Sequence, residues 1–157
     1  AIRLGADLLN DAPLSDQQIG LGSAIYHVCA FASSTQLARL TCRRGNQWVT
    51  ALGAILMGTY PAWMAISRGF GLFLVGSAIG GLGWALVAGA MVNYVLEKVP
   101  EDRRPDYLAW YNLALNGALL FGSLSGPFIA GLIGVPATLY LSTAGRLLAA
   151  LVILRWE

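Results

Sequence analysis

The chain has 157 residues, 57% of them hydrophobic and 11% charged, with a net charge of +2 and a mean hydropathy of +0.63. So few charges could not cover the surface of a soluble fold, and a net charge this small and scattered gives no footprint for nucleic acid. Cys29 lies in an apolar stretch and Cys42 in a basic segment, which argues against a disulfide between them, and no metal spacing or cofactor motif accompanies them.

What charge there is sits in short segments. Residues 17–38, 45–67, 69–96 and 107–145 contain no Asp, Glu, Lys or Arg. A helix needs about 20 apolar residues to cross the hydrocarbon of a bilayer, and a charge left inside it is costly. The expected fold class is therefore an all-α, polytopic helical membrane protein in contact with the lipid bilayer. Helices are preferred to barrel strands because the apolar runs are continuous rather than alternating at period two.

In chain order, residues 1–16 carry neither the basic nor the apolar region of a signal peptide. They read as an extracytoplasmic lead-in, the end of a preceding helix, which would make the chain a fragment. The first predicted span is 17–40. Successive helical residues turn by about 100°, so Ser23, His27 and Ser34 share one of its faces. His27 is the only histidine, the residue type suited to proton exchange near neutral pH.

The second span is 47–67 and carries Pro61, a donor-less residue that tends to bend a helix. The third, 70–97, contains a GxxxG pair, Gly76 and Gly80, followed by Gly81, Gly83 and Gly89. Small residues let helices approach closely where lipid gives no hydrophobic drive, although such pairs also arise by chance in Gly-rich apolar sequence. Trp84 and Asn93 fall on opposite faces of this span.

The remaining uncharged run is too long for one crossing and is broken at Gly134, Val135 and Pro136, giving a fourth span, 107–134, and a fifth, 136–155. The fourth has a polar face of Asn112, Asn116 and Ser123, a second GxxxG pair, Gly122 and Gly126, and an internal Pro127. Two readings stand for the polar faces: the lining of a cavity, or hydrogen bonds between helices. Arg146 lies near the middle of the fifth span, where even gentle insertion scales charge about 2.5 to 3.5 kcal/mol. With no Asp or Glu in any span, its partner is a carbonyl, a hydroxyl such as Ser142 or Thr143, a carboxylate from outside the chain, or an anionic ligand.

Arg39, Arg43, Arg44, Lys98, Arg103, Arg104 and Arg155 fall on one side of this topology, with Arg3 and Arg68 on the other. The positive-inside rule makes the first side cytoplasmic, so the charged loops 39–46 and 98–106 are expected inside a multi-pass cell-membrane protein.

Three segments together resemble the major facilitator superfamily. ARLTCRRGNQ, residues 38–47, is similar to that family's cytoplasmic GxLaDRxGRK loop, with Leu40, Arg43 and Gly45 in register. Cys42 replaces the usual aspartate, and Ala38, Asn46 and Gln47 also depart. VPEDRRPDYLAWYN, residues 99–112, resembles the charged loop between the fourth and fifth helices of a half. GSLSGPFIAG, residues 122–131, resembles the GxxxGPxxGG element of the fifth helix, with Ala130 in place of one glycine.

The resemblance implies five transmembrane helices of a six-helix transporter half-bundle, helices two to six, in the C-terminal half. It implies secondary transport of a small-molecule substrate by alternating access. A proton or Na+ would be the coupling ion, and the missing half of the same transporter would be the partner. Leu40, Arg43 and Gly45 would belong to a cytoplasmic gating loop. The cavity-lining helices of the family map substrate contacts onto His27, Trp84, Tyr111, Asn112 and Asn116, and leave Arg146 on a peripheral helix. No enzyme chemistry is expected, since there is no HExxH, no GxSxG and no intramembrane acid. The alternative is a non-transporting membrane protein, a sensor or an assembly scaffold, built by the same packing.

Overall fold

The computed structural model describes residues 14–67 and 69–155. The lead-in as far as residue 13 and Arg68 lie outside the described residues. The chain folds into five long helices: α1 (Asp16–Arg44), α2 (Asn46–Ile66), α3 (Phe70–Lys98), α4 (Arg104–Ile133) and α5 (Val135–Arg155), with a 3-10 turn at Glu101–Arg103.

Each boundary has a local cause. Ser15 caps α1: its Oγ accepts from the Gln18 N–H at 3.3 Å, while the Ser15 N–H donates to Gln18 Oε1 at 3.0 Å, a capping box. Asp16 in the first turn and Arg43 and Arg44 in the last complement the helix dipole. Gly45, at φ +81°, breaks α1 from α2, and Gly134, at φ +85°, breaks α4 from α5; both angles favour a residue without a Cβ. Pro61 and Pro127 sit inside continuous helices.

These boundaries adjust the sequence-based ones. The first helix runs on to Arg44, past the expected end at residue 40, so Leu40 and Arg43 lie on helical turns and only Gly45 is a true break. Arg43 and Arg44 favour helix at a C-terminal end, which is why the charged segment did not start a loop. Similarly, α4 starts at Arg104, because Pro105 is compatible with a helix's first turn.

Helices α2 to α5 are each long and apolar enough to cross a membrane. Helix α1, 29 residues long, is less apolar because Gln, Ser, Thr and His interrupt it.

Helix α3 is the hub, flanked by α1 and α2, and α2 in turn packs on α5. A Cβ added at Gly76 would meet Trp63, one at Gly80 would meet Tyr60, and one at Gly83 would meet Met57. As the number rises on α3 it falls on α2, so the two run antiparallel, and the glycines are what bring their backbones together. Two buried clusters flank this seam: Leu14, Met64 and Phe73 toward one end, and Val49, Leu86 and Ala90 toward the other.

Helix α4 is different. None of its residues is buried, and Trp110, Phe121 and Phe128 are at least 70% exposed. Nothing lies within 4 Å of a Cβ built at Gly122 or Gly126, so this GxxxG pair makes no helix seam among the described residues.

Candidate functional site

A hollow of about 280 Å³ opens between α1, α2 and α3, lined by Gly22, Ser23, Tyr26, His27, Tyr60 and Ser77. Helical periodicity explains the α1 contribution, since positions 22, 23, 26 and 27 repeat at three and four residues and share a face. The α3 glycines set its floor. A Cβ at Gly80 would stand 2.7 Å from Tyr60 Cδ2 and 3.2 Å from Tyr26 Cε2, and one at Gly81 would run into the Tyr26 carbonyl. The rings of Tyr26 and Tyr60 are 6.3 Å apart and tilted by 60°, while His27 meets Tyr26 edge-on at 5.4 Å. Ser77 is buried below them.

Arg146 approaches from the far side of α2. A Cβ at Gly58 would be 3.2 Å from the Arg146 Cβ, so the missing side chain at 58 lets α5 bring the arginine close. Its charge lies within electrostatic reach of the Tyr26 and Tyr60 phenols. Acids among the described residues sit at or beyond helix ends, so phenols rather than carboxylates are the polar groups near this cation.

Of the sequence-predicted contacts, His27 reaches this hollow and four others do not. Trp84 is 38% exposed on another face of α3. Tyr111, Asn112 and Asn116 stand on α4, away from the hollow. The Asn112 amide donates to the Leu108 carbonyl at 2.9 Å and the Asn116 amide to the Asn112 carbonyl at 2.7 Å; Ser123 bonds to the Leu119 carbonyl in the same way. Tyr26, Tyr60 and Ser77 were not singled out from sequence. Ser77 is a lone polar group in an apolar run and Tyr60 directly follows Thr59 in another; what could have flagged them is an aromatic facing a glycine pair on the neighbouring helix.

A second polar centre forms where α1, α3 and α5 end together. The Asn46 amide donates to Glu97 Oε2 at 3.0 Å, and the Gln47 amide to the Ile153 carbonyl at 2.8 Å. Arg44 lies over the Trp48 ring, 5.0 Å from its centroid. The segment around Gly45 is thus tied to the ends of α3 and α5 by Asn46 and Gln47, two residues that depart from the family's loop pattern. No group of three or more metal-ligating side chains occurs among the described residues, and Cys29 and Cys42 are free thiols.

The profile of the Major Facilitator Superfamily matches residues 4–157. The chain belongs to that superfamily. It is also similar to a probable polyol transporter 4 from Arabidopsis thaliana, with 27% identity over 88 residues, which is 56% of this chain and 17% of that protein. The chain therefore matches a small part of a much longer relative. As a Major Facilitator Superfamily chain it is an integral membrane protein, which accounts for the apolar surface of α4 and α5: in lipid, exposed Leu, Phe and Trp carry no hydrophobic penalty.

Proposed function

We propose that the chain is part of a secondary active transporter that moves a small, neutral, hydroxyl-bearing solute across the cell membrane by alternating access, and that it has no enzymatic activity. The observation that carries this reading is the hollow of Tyr26, His27, Tyr60, Ser23 and Ser77 within the apolar bundle. It offers hydroxyl and imidazole groups that both donate and accept, together with ring faces and no carboxylate, which suits a neutral solute rich in hydroxyls better than a cation. The name of the plant relative, a probable polyol transporter, agrees with that chemistry.

In this reading the basic ends of α1, α3 and α5 face the cytoplasm. The Gly45 junction, held by Asn46 to Glu97 and by Gln47 to Ile153, helps to keep the inner end closed. A second set of helices, outside this chain, covers α4 and completes the cavity, bringing Asn112 and Asn116 toward the solute path. A coupling proton or Na+ would bind there or at His27.

The test is uptake or efflux of radiolabelled polyols by the full-length protein in proteoliposomes. Transport that saturates, and that competes with other polyols but not with cationic solutes, is expected. Absence of any solute flux across a panel of polyols, sugars and organic ions would favour the sensor or scaffold reading instead.

A further inference from the structure

We propose that the basic end of the bundle holds one anionic phospholipid, its acyl chain in an apolar hollow between α3, α4 and α5 and its phosphate against Lys98 and Arg44. Two adjoining cavities carry the proposal. The first, about 510 Å³, is lined by Met91, Tyr94, Val95, Tyr107, Val152 and Ile153, among others. The second, about 310 Å³, is polar and is lined by Arg44, Asn46, Trp48, Tyr94, Glu97 and Lys98. Tyr94 and Lys98 belong to both, so the apolar hollow and the charged one adjoin at these two side chains.

That pairing is amphiphilic. A water-soluble solute would leave Met91, Val95 and Val152 without an apolar partner, whereas an acyl chain entering from the bilayer covers them. At the other end, the Lys98 ammonium lies 5.9 Å from the Tyr94 ring centroid and Arg44 lies over Trp48. Both cations rest on ring faces and form no ion pair among the described residues. Glu97, the acid of the polar hollow, is engaged by the Asn46 amide. With two cations against one acid, the hollow keeps a positive charge that a phosphate would complement.

Depth agrees as well. Tyr94, Trp48 and Tyr107 sit where the apolar helices give way to charge, the level at which membrane proteins gather aromatic residues, and basic pockets between helices at that level bind anionic headgroups. The proposal needs only that the chain spans a bilayer; it does not rest on the transport reading.

Native mass spectrometry of the full-length protein, equilibrated with phosphatidylglycerol and phosphatidylcholine in detergent, provides the test. One phosphatidylglycerol should survive delipidation in preference to phosphatidylcholine. Arg44→Gln and Lys98→Gln should each weaken its retention about fivefold, and the double variant should lose the preference. Lys98→Arg should keep it. Val95→Trp, which fills the acyl hollow, should reduce retention of both lipids with the helical circular dichroism unchanged. Free glycerol phosphate, a headgroup without a tail, should not displace the bound lipid. Equal retention of the two lipids by the wild type, an unchanged preference in the double Gln variant, or displacement by glycerol phosphate would each overturn the site. The Gln substitutions lie at the exposed rim, so they still decide the matter if Val95→Trp does not fold.

Discussion

Gly80 on α3 lies directly beneath Tyr60 on α2, near enough that one added methyl would stand 2.7 Å from the ring. The atoms it meets are Cδ2 and Cγ, at the near end of the Tyr60 ring, so the ring must turn to make room, with Tyr26 Cε2 3.2 Å away on the other side. At Gly83, one turn on, the methyl would meet the backbone nitrogen of Met57, which cannot turn away. Gly80→Ala should therefore lower the melting temperature of the full-length protein less than Gly83→Ala does, while displacing Tyr60 and weakening solute binding. Gly83→Ala should destabilise by about 1–3 kcal/mol, the usual cost of overpacking. Thermal melts in detergent, read beside transport KM, separate the two.

If the hollow takes a hydroxyl-bearing solute, Tyr60→Phe removes one hydrogen-bonding group with little change of shape. The loss of one such bond is about 0.5–1.5 kcal/mol, so KM should rise by up to about tenfold with surface expression unchanged. His27→Ala should lower transport further than Asn116→Ala, since His27 lines the hollow and the Asn116 amide already bonds to its own helix. No loss in His27→Ala would remove the histidine from the solute path, and equal losses in the two would put Asn116 on that path beside it.

Much of this architecture could be read in the sequence, because a bilayer imposes its rule on the whole chain. Charge-free runs of this length are best satisfied as helices, and Gly134 followed by Pro136 marks where the longest run divides into two crossings. Helix ends were harder: the run of Arg43 and Arg44 signals a membrane boundary, yet the helix continues through them until Gly45 takes a positive φ. The hollow was only partly visible. Periodicity placed His27 and Ser23 on one face, but no pattern within α2 or α3 tells that Tyr60 and Ser77 meet them. That encounter depends on the glycines that let α1 and α2 close over α3, a contact between distant parts of the chain.

The junction at Gly45 yields a prediction about access. Asn46 and Glu97 join residues far apart in sequence through a single exposed hydrogen bond, which contributes little to global stability. Its effect should show in the conformational balance instead. Asn46→Ala or Glu97→Ala should leave the melting temperature within about a degree of wild type, consistent with the small value of exposed pairs. Either variant should speed maleimide labelling of a cysteine placed on the cytoplasmic side of the hollow. Unchanged labelling would mean that the junction does not hold the inner end closed.

Helix α4 distinguishes lipid from protein as its neighbour. Gly122 and Gly126 face open space among the described residues, and small residues on a membrane helix are enriched where another backbone comes close. If further helices cover this face in the full-length protein, Gly122→Leu should destabilise it by about 1–3 kcal/mol through overpacking. Facing lipid, the same substitution would be tolerated, because an added leucine adds only apolar surface. A melt indistinguishable from wild type would assign the α4 glycines to the bilayer.

Arg146 sets the last expectation, because it is a cation in an apolar helix with phenols for company. Held among carboxylates, such a residue would be indispensable to folding. Near Tyr26 and Tyr60 it receives less compensation, and the cost of a charge in an apolar span works against stability. Arg146→Met conserves most of the volume and removes that cost, so the variant should express and melt at or above the wild-type temperature. Transport should nevertheless fall, since the Tyr26 and Tyr60 phenols that wall the hollow would lose the positive charge within their electrostatic reach. Arg146→Lys, with its charge but without the planar fork, should fall between the two. A variant Met protein that is both less stable and fully active would reverse both halves of this account and make Arg146 a purely structural residue.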